Sequence, residues 1–479
     1  MKRFCRQLAE LKLWNAVWIL FVFLLPLTSV PAIRDLVRSD VVAAPSALMA
    51  AVLLIGWAIP RLISGKKLPE NASIIVLFVI TALLATTVSF FRTIPDFKGQ
   101  SPAKSSVSAI LTLFIGFSFY LVSLLWHDDR KKLALTFRIV NISGAIVCLW
   151  TLTQAFYWYR DNRYPEWMKT IQFSLSVGNL YRQRFVGFTL EPSWLAHQLN
   201  LLYLPFWFAA SVTGWSASRF RLGFITAERV LFLTGTAVLF LTLSRVGLGA
   251  FLITAAFCAL IFVTRMINTL TAKASPDKRG ALTVLAILGV LLVLASVGLG
   301  ILHLLAKLDF RMAGLFDLEF TNRPDAVFYF AEKLSLAARF VYWDGGFSIF
   351  SKYPLFGVGF GHAGFYLPGL LNDYAFRLTE VRNLLYRSDT LLNIKSLWIR
   401  ILAETGITGF AFFFVWYLHS LFGNFRFLRN PDPLKTTAAW MGCFALLAFI
   451  LEGFSLDTFA LPYIWLSVGL AVGAQEIAS

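Results

Sequence analysis

The sequence predicts an all-α, polytopic helical membrane protein with about twelve transmembrane helices. Of its 479 residues, 58% are apolar and only 14% are charged, whereas charged residues make up about a quarter of a typical soluble domain. The mean hydropathy is +0.70, and the apolar runs reach the roughly 20 residues that a membrane helix needs. A membrane β-barrel would instead show short alternating segments. This composition excludes a soluble enzyme, a disordered chain and a disulfide scaffold.

Apolar runs separated by polar stretches define the predicted spans. They cover residues 14–30, 41–59, 74–91, 107–126, 133–158, 194–212, 230–243, 246–263, 282–305, 397–422, 438–451 and 459–472. The first run follows four basic residues, Lys2, Arg3, Arg6 and Lys12, an arrangement also found in secretory signal peptides. We interpret it as an uncleaved first span.

The stretch 230–263 is too long for one span. As a single helix it would measure about 50 Å, while the hydrocarbon core is only about 30 Å thick. Ser244 and Arg245 are its only polar interruption, so we predict a tight hairpin at Ser244-Arg245-Val246-Gly247. This hairpin would leave Arg245 at the mouth of the helical bundle.

Basic residues are concentrated in alternate loops, and this bias predicts the orientation. A cytoplasmic N-terminus places the basic clusters inside, as the positive-inside rule requires, and both termini then face the cytoplasm. The clusters are Arg61/Lys66/Lys67, Arg130/Lys131/Lys132, Arg219/Arg221/Arg229, Arg265/Lys273/Lys278/Arg279 and Arg426/Arg429/Lys435. Two longer segments, 159–193 and 306–396, remain outside. We find no internal repeat or linker, so residues 1–479 are predicted to form one integral membrane domain, with 306–396 as a large outer loop between spans 9 and 10.

This outer loop contains a pattern typical of an amphipathic helix. Its apolar residues recur at steps of four and three, which places them on one helical face. They are Leu336, Phe340, Trp343, Phe347 and Phe350. The stripe is predicted to lie on the membrane surface or against the outer mouth of the bundle.

Four arginines on the predicted outer face are the main candidates for chemistry: Arg182, Arg184, Arg245 and Arg339. A guanidinium is permanently charged, binds phosphate in a bidentate manner and is costly to place near hydrocarbon. The four could therefore converge on one anionic group. Plainer interpretations stay open, since Arg182 and Arg184 could be interfacial anchors, Arg245 could fix the hairpin and Arg339 could be solvated.

The net charge of +17 indicates anionic headgroups or a phosphate-bearing lipid rather than nucleic acid, because the basic residues are scattered through loops between spans. Within the span 397–422, Arg400 and Glu404 are four residues apart, which predicts an internal ion pair.

No metal or cofactor site is predicted. The five histidines lie far apart without a metal-binding spacing, and the four cysteines form no C-x-x-C pair. Asp317-Leu318-Glu319 is the one outer acidic triplet that could hold a metal ion, and we interpret it as a solvated loop. The glycines of Gly357-Val358-Gly359-Phe360-Gly361 form no nucleotide-binding fingerprint.

Four short motifs, in this order, resemble the O-antigen ligase and Wzy-type O-antigen polymerase superfamily over roughly residues 182–412. They are Arg184…Gly187-Phe188…Glu191-Pro192-Ser193…Ala196, Leu241-Thr242-Leu243-Ser244-Arg245, Arg339-Phe340-Val341-Tyr342-Trp343 leading to Tyr353-Pro354-Leu355-Phe356-Gly357-Val358-Gly359, and Leu402-Ala403-Glu404-Thr405-Gly406-Ile407-Thr408-Gly409. The resemblance implies a GT-C-like fold in the bacterial inner membrane, with the large helical loop and the active site in the periplasm.

The resemblance also implies a metal-independent glycosyltransferase without a cofactor, whose substrate is an undecaprenyl-diphosphate-linked oligosaccharide. Membrane lipids, a chain-length regulator and a flippase are the other implied partners. Arg245 and Arg339 are the implied clamps for the diphosphate leaving group, whose charge develops in the transition state. Arg182, Arg184 and Tyr342 are expected to bind substrate. Glu191 is expected either to hold a sugar hydroxyl or to neutralise a neighbouring arginine.

One position departs from the family pattern. Ligases of this family have a histidine nine residues before the Glu of the Glu-Thr-Gly motif, where this chain has Lys395. Lys395 could act as a base only with a strongly lowered pKa, and it could instead contact phosphate. His362 is a substitute base, or a loop histidine without a role. The departure favours a polymerase of lipid-linked repeat units over a ligase acting on lipid A core.

Two other classes remain open. A transporter or flippase of lipid-linked glycan also fits twelve spans, but carriers generally have related halves and a midplane site, whereas the halves here look unrelated. A purely structural membrane scaffold fits the placement of the arginines least.

Overall fold

The computed structural model describes residues 12–39, 43–270, 276–308, 326–334 and 336–477, together with positions 3, 4, 7, 10, 313 and 314. This part of the chain is predominantly helical, and its only strands pair Arg221–Leu222 with Ile225–Thr226 in a small antiparallel hairpin. The predicted all-α class is confirmed. The triplet Asp317-Leu318-Glu319 lies outside the described residues.

The helices of the N-terminal half are α1 (Leu13–Phe23), α2 (Pro31–Val37), α3 (Pro45–Leu53), α4 (Ile59–Ile63), α5 (Glu70–Ser89), α6 (Pro102–Trp126), α7 (Arg130–Asp161), α8 (Glu166–Leu175), α9 (Pro192–Gln198) and α10 (Leu204–Thr213). Single π-helical turns, Leu54–Ala58 and Leu199–Tyr203, join α3 to α4 and α9 to α10. These two pairs therefore run as continuous rods.

The helices of the C-terminal half are α11 (Ala227–Leu241), α12 (Arg245–Leu270), α13 (Pro276–Leu308), α14 (Ala326–Lys333), α15 (Ala337–Lys352), α16 (Ala363–Tyr366), α17 (Thr379–Tyr386), α18 (Leu397–Phe427), α19 (Pro433–Glu452) and α20 (Tyr463–Gln475). Two 3₁₀ turns, Leu367–Leu370 and Asp373–Arg377, lie between α16 and α17.

Each of the twelve predicted spans overlaps a helix in the part that the structure describes. Seven helices there are long and apolar enough to cross a membrane: Pro45–Ile63, Glu70–Ser89, Pro102–Trp126, Arg130–Asp161, Gly280–Leu304 within α13, Leu397–Phe427 and Pro433–Glu452. The other predicted spans fall on shorter apolar helices or on the interrupted rod of α9 and α10. The chain is an integral membrane protein of helical type.

The starts of the long helices follow local sequence rules. Proline occupies the first position of α6 and of α19, where its fixed φ suits a helix and its missing N–H is not needed. The Ser101 hydroxyl accepts a bond of 3.3 Å from the backbone N–H of Lys104, and the Asp129 carboxylate accepts one of 3.1 Å from Lys131. Such caps satisfy N–H groups that the first helical turn leaves without partners.

Small residues allow the closest helix packing in the bundle. A side-chain β-carbon at Gly469 of α20 would lie 2.8 Å from the Tyr120 carbonyl oxygen of α6, and one at Gly473 would lie 2.8 Å from that of Leu124. Two glycines four residues apart thus let the backbones of α20 and α6 touch, as in other membrane helix pairs. Apolar burial gives little driving force in lipid, so close packing of this kind contributes to the association of the two helices.

The chain breaks within α18, at the Glu-Thr-Gly motif. Gly406 has φ +64° and ψ −167°, which is not helical, and a β-carbon there would lie 2.3 Å from the Leu355 carbonyl oxygen. The glycine-rich loop docks at this break, since Val358 and Gly359 donate backbone bonds of 3.0 and 2.9 Å to Ala403 and Glu404. Two motifs that are separate in sequence therefore form one structural unit.

Helix α15 buries a different face from the predicted stripe. Its most buried residues are Val341, Tyr342, Gly345, Gly346 and Ile349, whereas Phe347 of the predicted stripe is 49% exposed. The placement of the predicted stripe on the membrane surface stays a prediction, and the face that packs on the bundle was not predicted because glycine carries no hydrophobic signal. A β-carbon at Gly346 would lie 2.6 Å from the Ile399 side chain, so the glycines are what let α15 lie directly on α18.

The predicted break in the stretch 230–263 is confirmed, but it lies at residues 242–244 and so begins before the predicted turn at Ser244-Arg245-Val246-Gly247. Helix α11 ends at Leu241 and α12 begins at Arg245. Between them, Leu243 adopts the left-handed conformation with φ +48°, and the Thr242 hydroxyl accepts a bond of 3.1 Å from the Ser244 N–H. The chain therefore leaves the helical conformation for three residues and resumes it with Arg245 at the first position of α12.

Candidate functional site

A cavity of about 240 Å³ lies where the α11–α12 hairpin, the start of α9 and the loop helices α15 and α17 meet. Four cationic side chains and two carboxylates line it: Arg184, Arg245, Arg339, Lys395, Glu191 and Glu380. The remaining lining residues are Ser193, Leu243, Ser244, Val246, Leu336, Ala338 and Ser455. Five of the eight residues singled out from the sequence thus share one cavity.

The hairpin positions the first two arginines. The Phe185 N–H donates a bond of 3.2 Å to the Leu241 carbonyl oxygen, and Arg184 Nε donates one of 3.3 Å to that of Thr242. Arg184 is therefore held against the turn that presents Arg245. Both guanidiniums are half-buried, so they are partly desolvated but still reach the cavity.

Arg339 ties together three segments of the site. It lies in the first turn of α15, and its Nη1 donates bonds of 2.9 Å to the Ser455 carbonyl oxygen and 3.4 Å to that of Lys395. Burial lowers the pKa of Arg339 below its ordinary value, while the carboxylates of Glu380, Asp457 and Glu191 oppose this shift. Because a guanidinium is a permanently charged group, Arg339 contributes a positive charge to the cavity.

Lys395 reaches the cavity through an unusual backbone conformation. Its φ is +58°, which is uncommon for a residue with a side chain, and α18 begins directly afterwards with the Ser396 hydroxyl as its cap. Lys395 Nζ lies 3.9 Å from Glu380 Oε1. The left-handed residue thus turns the lysine toward α17 and away from the start of α18.

Glu191 is fixed by the residues that open α9. It precedes Pro192, which occupies the first helical position, and its Oε2 accepts a bond of 3.1 Å from the Ser193 hydroxyl. The side chain is exposed to the cavity rather than buried. A carboxylate held in this way can accept hydrogen bonds from a hydroxylated ligand.

Three of the predicted site residues do not line this cavity. Arg182 is exposed and is separated from Arg184 by Gln183, whose φ of +60° turns the chain. Tyr342 is fully buried one turn after Arg339, and burial together with the nearby Glu380 raises the pKa of its phenol. The roles predicted for Arg182 and Tyr342 remain predictions.

His362 is the third residue outside the cavity. Its ring is fully buried, with Nδ1 3.0 Å from the Ser89 hydroxyl and Nε2 2.7 Å from the Ser106 hydroxyl. It joins the glycine-rich loop to α5 and α6. Its predicted role as a base remains a prediction, and the contacts describe a buried link between helices.

Sequence reasoning missed two contributors to the cavity. Glu380 is one of several exposed acidic residues in the outer loop, and nothing in its local sequence marks it. Ser455 contributes a backbone carbonyl oxygen to Arg339, and a backbone group carries no residue-type signal. Only the packing of α17 and of the loop after α19 brings these groups to the arginines.

A larger cavity of about 520 Å³ lies at the opposite end of the bundle, beside the end of α6. Lys12, Arg61, Lys66 and Lys132 line it together with three tryptophans. No residue that the sequence singled out for chemistry is among its lining residues. Among the described residues, no group of three or more His, Cys, Asp or Glu side chains is placed to hold a metal ion.

The predicted ion pair inside α18 is confirmed, because Arg400 Nε donates a bond of 3.0 Å to Glu404 Oε2. Arg400 also donates to the Asp457 carbonyl oxygen, and its guanidinium lies 5.3 Å from the centre of the Phe360 ring. Arg400 therefore links Glu404 of the Glu-Thr-Gly motif to the loop that follows α19.

Comparison with known proteins finds a similarity to a known family. Residues 230–414 match the family model described as O-antigen ligase. No curated protein matches the chain. The matched stretch contains Arg245, Arg339, Glu380 and Lys395. Arg184 and Glu191 precede it, so the cavity also includes residues outside the matched stretch. This match covers less than half of the chain and supports its resemblance to the O-antigen ligase and Wzy-type superfamily.

Proposed function

We propose that this protein is a glycosyltransferase that polymerises undecaprenyl-diphosphate-linked oligosaccharide repeat units at the periplasmic face of the bacterial inner membrane. The match of residues 230–414 to the O-antigen ligase family model supports a membrane enzyme that handles lipid-linked glycans in polysaccharide biosynthesis. The observation that carries the finer proposal is the convergence of Arg184, Arg245, Arg339 and Lys395 on one cavity.

The charge of the cavity suits a diphosphate. Four cations face two carboxylates, which leaves an excess of positive charge in a partly desolvated space, where electrostatic interactions are stronger than in water. Three of the cations are guanidiniums, which match phosphate oxygens in pairs. The diphosphate of the donor would occupy this space, while its lipid tail extends into the membrane.

The proposed reaction joins an acceptor hydroxyl to the donor sugar. The hydroxyl oxygen bonds to the anomeric carbon as the bond from that carbon to the diphosphate oxygen breaks. The leaving electron pair goes to the diphosphate, whose growing negative charge the arginines stabilise more strongly than they stabilise the ground state. The products are a lengthened glycan and undecaprenyl diphosphate.

The hydroxyl proton must go to a base in the cavity. Glu380 is our candidate, because a carboxylate can accept a proton directly and Glu380 lines the cavity with Arg339, 3.9 Å from the lysine ammonium. Glu191, held by Ser193, would then hold a sugar hydroxyl. In this scheme the side-chain cations carry the charge stabilisation, and no metal ion takes part.

A ligase is the second candidate, because the matching family model is described as O-antigen ligase. Lys395, at the position where the resembled ligases have histidine, favours polymerisation. A chain-length regulator and a flippase would be the partners of a polymerase, and membrane lipids would surround it.

The purified protein can be incubated with undecaprenyl-diphosphate-linked oligosaccharide, with and without a lipid A core acceptor. We expect a ladder of lengthened glycans that needs no lipid A. A single transfer to lipid A would establish the ligase. Movement of the lipid-linked glycan across vesicles without a new glycosidic bond would contradict both enzymes and favour a transporter.

A further inference from the structure

A second cavity lies beside the cationic one and has the opposite charge character. Its volume is about 270 Å³, and it opens between the start of α6, the loop after the glycine-rich turn and the start of α18. The lining residues are Ser39, Ser105, Ser108, Ala109, Thr112, Gly361, Ala363, Gly364, Leu391, Leu392, Asn393, Ile394, Arg400, Glu404, Asp457 and Thr458. Hydroxyls, one amide and two carboxylates dominate its polar surface.

Arg400, the one cationic residue among the described residues that line this cavity, already forms hydrogen bonds within the protein. Arg400 donates 3.0 Å to Glu404 Oε2 and donates also to the Asp457 carbonyl oxygen, and its flat face lies over Phe360. The carboxylates of Glu404 and Asp457 exceed it in charge. A diphosphate would therefore be repelled here, whereas a neutral ligand rich in hydroxyl groups would find acceptors for its protons.

The hydroxyl groups on the α6 side also act as acceptors. The Ser105 hydroxyl donates its proton to the Gly361 carbonyl oxygen at 2.6 Å, and the Thr112 hydroxyl donates to that of Ala109 at 2.7 Å. Because each hydroxyl already donates its proton to a backbone carbonyl oxygen, its own oxygen can accept a hydrogen bond from a ligand. The pattern matches a saccharide, whose hydroxyls donate in several directions.

Two chain segments contribute to both cavities. Asn393 and Ile394 line the second cavity and Lys395 the first, while Asp457 lines the second and Ser455 the first. Arg339 binds the carbonyl oxygens of Lys395 and Ser455 from the side of the first cavity. The two cavities are thus neighbours, joined by a boundary that Arg339 holds in place.

We propose that the second cavity binds the acceptor saccharide through its hydroxyl groups. This inference rests on the proposed function, since it assigns the donor diphosphate to the first cavity. The donor's first sugar is bonded directly to that diphosphate and lies with it, near Glu191 and Glu380. The sugars of the acceptor need a separate surface next to the reacting carbon, and the carboxylate-lined cavity supplies one.

The test uses two variants from different sides of the cavity, Asn393→Ala and Asp457→Asn. Asn393 is exposed, so its replacement does not disturb the core, and Asp457→Asn keeps the size of the side chain. Kinetics are measured with a lipid-diphosphate donor and a separate acceptor oligosaccharide. We expect the KM for the acceptor to rise about tenfold, the size expected for one lost hydrogen bond. Asn383→Ala, an exposed change on α17, is the matched control.

Binding is measured independently of transfer. The free repeat-unit oligosaccharide, released by mild acid from the lipid-linked form, is added to the full chain and followed by saturation-transfer NMR. Wild type should bind it, both variants should bind it less, and inorganic pyrophosphate should not displace it. An increase in donor KM instead of acceptor KM, or unchanged binding in both variants, would overturn the proposal. Oligosaccharide binding without any glycosyl transfer would contradict the proposed function but would still support saccharide binding in the second cavity.

Discussion

Arg339 Nη1 donates a hydrogen bond of 2.9 Å to the carbonyl oxygen of Ser455. The two residues are far apart in the chain, one on the first turn of a loop helix and the other just after α19. The same guanidinium also reaches Lys395. A permanently charged group therefore fixes the backbone around the cavity while it contributes to the cavity's charge.

Arg339→Ala should reduce glycosyl transfer about 10²–10³-fold, the loss seen when one group that stabilises a developing negative charge is removed. Arg339→Lys should recover little of this activity, because an ammonium cannot reproduce the planar fork of donors. Initial rates of product formation at equal amounts of folded protein measure the effect. Arg377→Ala, an exposed arginine in the same loop, is the control and should keep at least half of the activity.

Arg182 and Arg184 provide a comparison within one short segment. Arg184 lines the cavity and donates to the Thr242 carbonyl oxygen, whereas Arg182 is exposed outside it. Arg184→Ala should lower kcat/KM for the lipid-linked donor at least tenfold, and Arg182→Ala less than threefold. Equal losses in the two variants would show that general attraction to anionic lipid, and not the cavity, accounts for these arginines.

Glu380→Gln tests the proposed base. The amide keeps the shape of the side chain but cannot accept the hydroxyl proton, so transfer should fall about 10²-fold or more, within the range for general-base catalysis. Binding of the lipid-linked donor should change little, and titration of the variant with the donor checks this. A variant with nearly normal turnover would remove Glu380 from the mechanism.

Gly406 and Gly249 should respond in opposite directions to replacement by alanine. At Gly406 the β-carbon would lie 2.3 Å from the Leu355 carbonyl oxygen, and the φ is +64°. Gly406→Ala should therefore cost about 2–4 kcal/mol of stability. At Gly249, inside α12, no atom lies within 4 Å of the new carbon, so the helix should gain about 1 kcal/mol or less. Thermal unfolding in detergent, followed by size-exclusion chromatography, compares the two variants with wild type.

The features that the sequence predicted best depend on span length and on the cost of placing charged side chains in or near the membrane. A stretch too long for one span required a break, and the structure interrupts the helix between Leu241 and Arg245. Charges within a span need partners, and Arg400 pairs with Glu404. A guanidinium near hydrocarbon is energetically costly unless it has a structural or functional role. Three of the four arginines selected on this ground line one cavity.

The features that could not be predicted depend on contacts distant in sequence. The packed face of α15 is formed by Gly345 and Gly346, and glycine contributes nothing to a hydrophobic pattern. Glu380 joins the cavity only through the placement of α17, and Ser455 acts through a backbone oxygen. The second cavity draws its polar groups from five separate segments, so no window of sequence contains it.

Binding of undecaprenyl diphosphate to the purified protein, measured by native mass spectrometry, tests the central claim most directly. Wild type should bind the diphosphate lipid in preference to undecaprenol, and both Arg245→Ala and Arg339→Ala should weaken this preference at least tenfold. The same preference in wild type and in both variants would contradict the assignment of the cationic cavity as the diphosphate site.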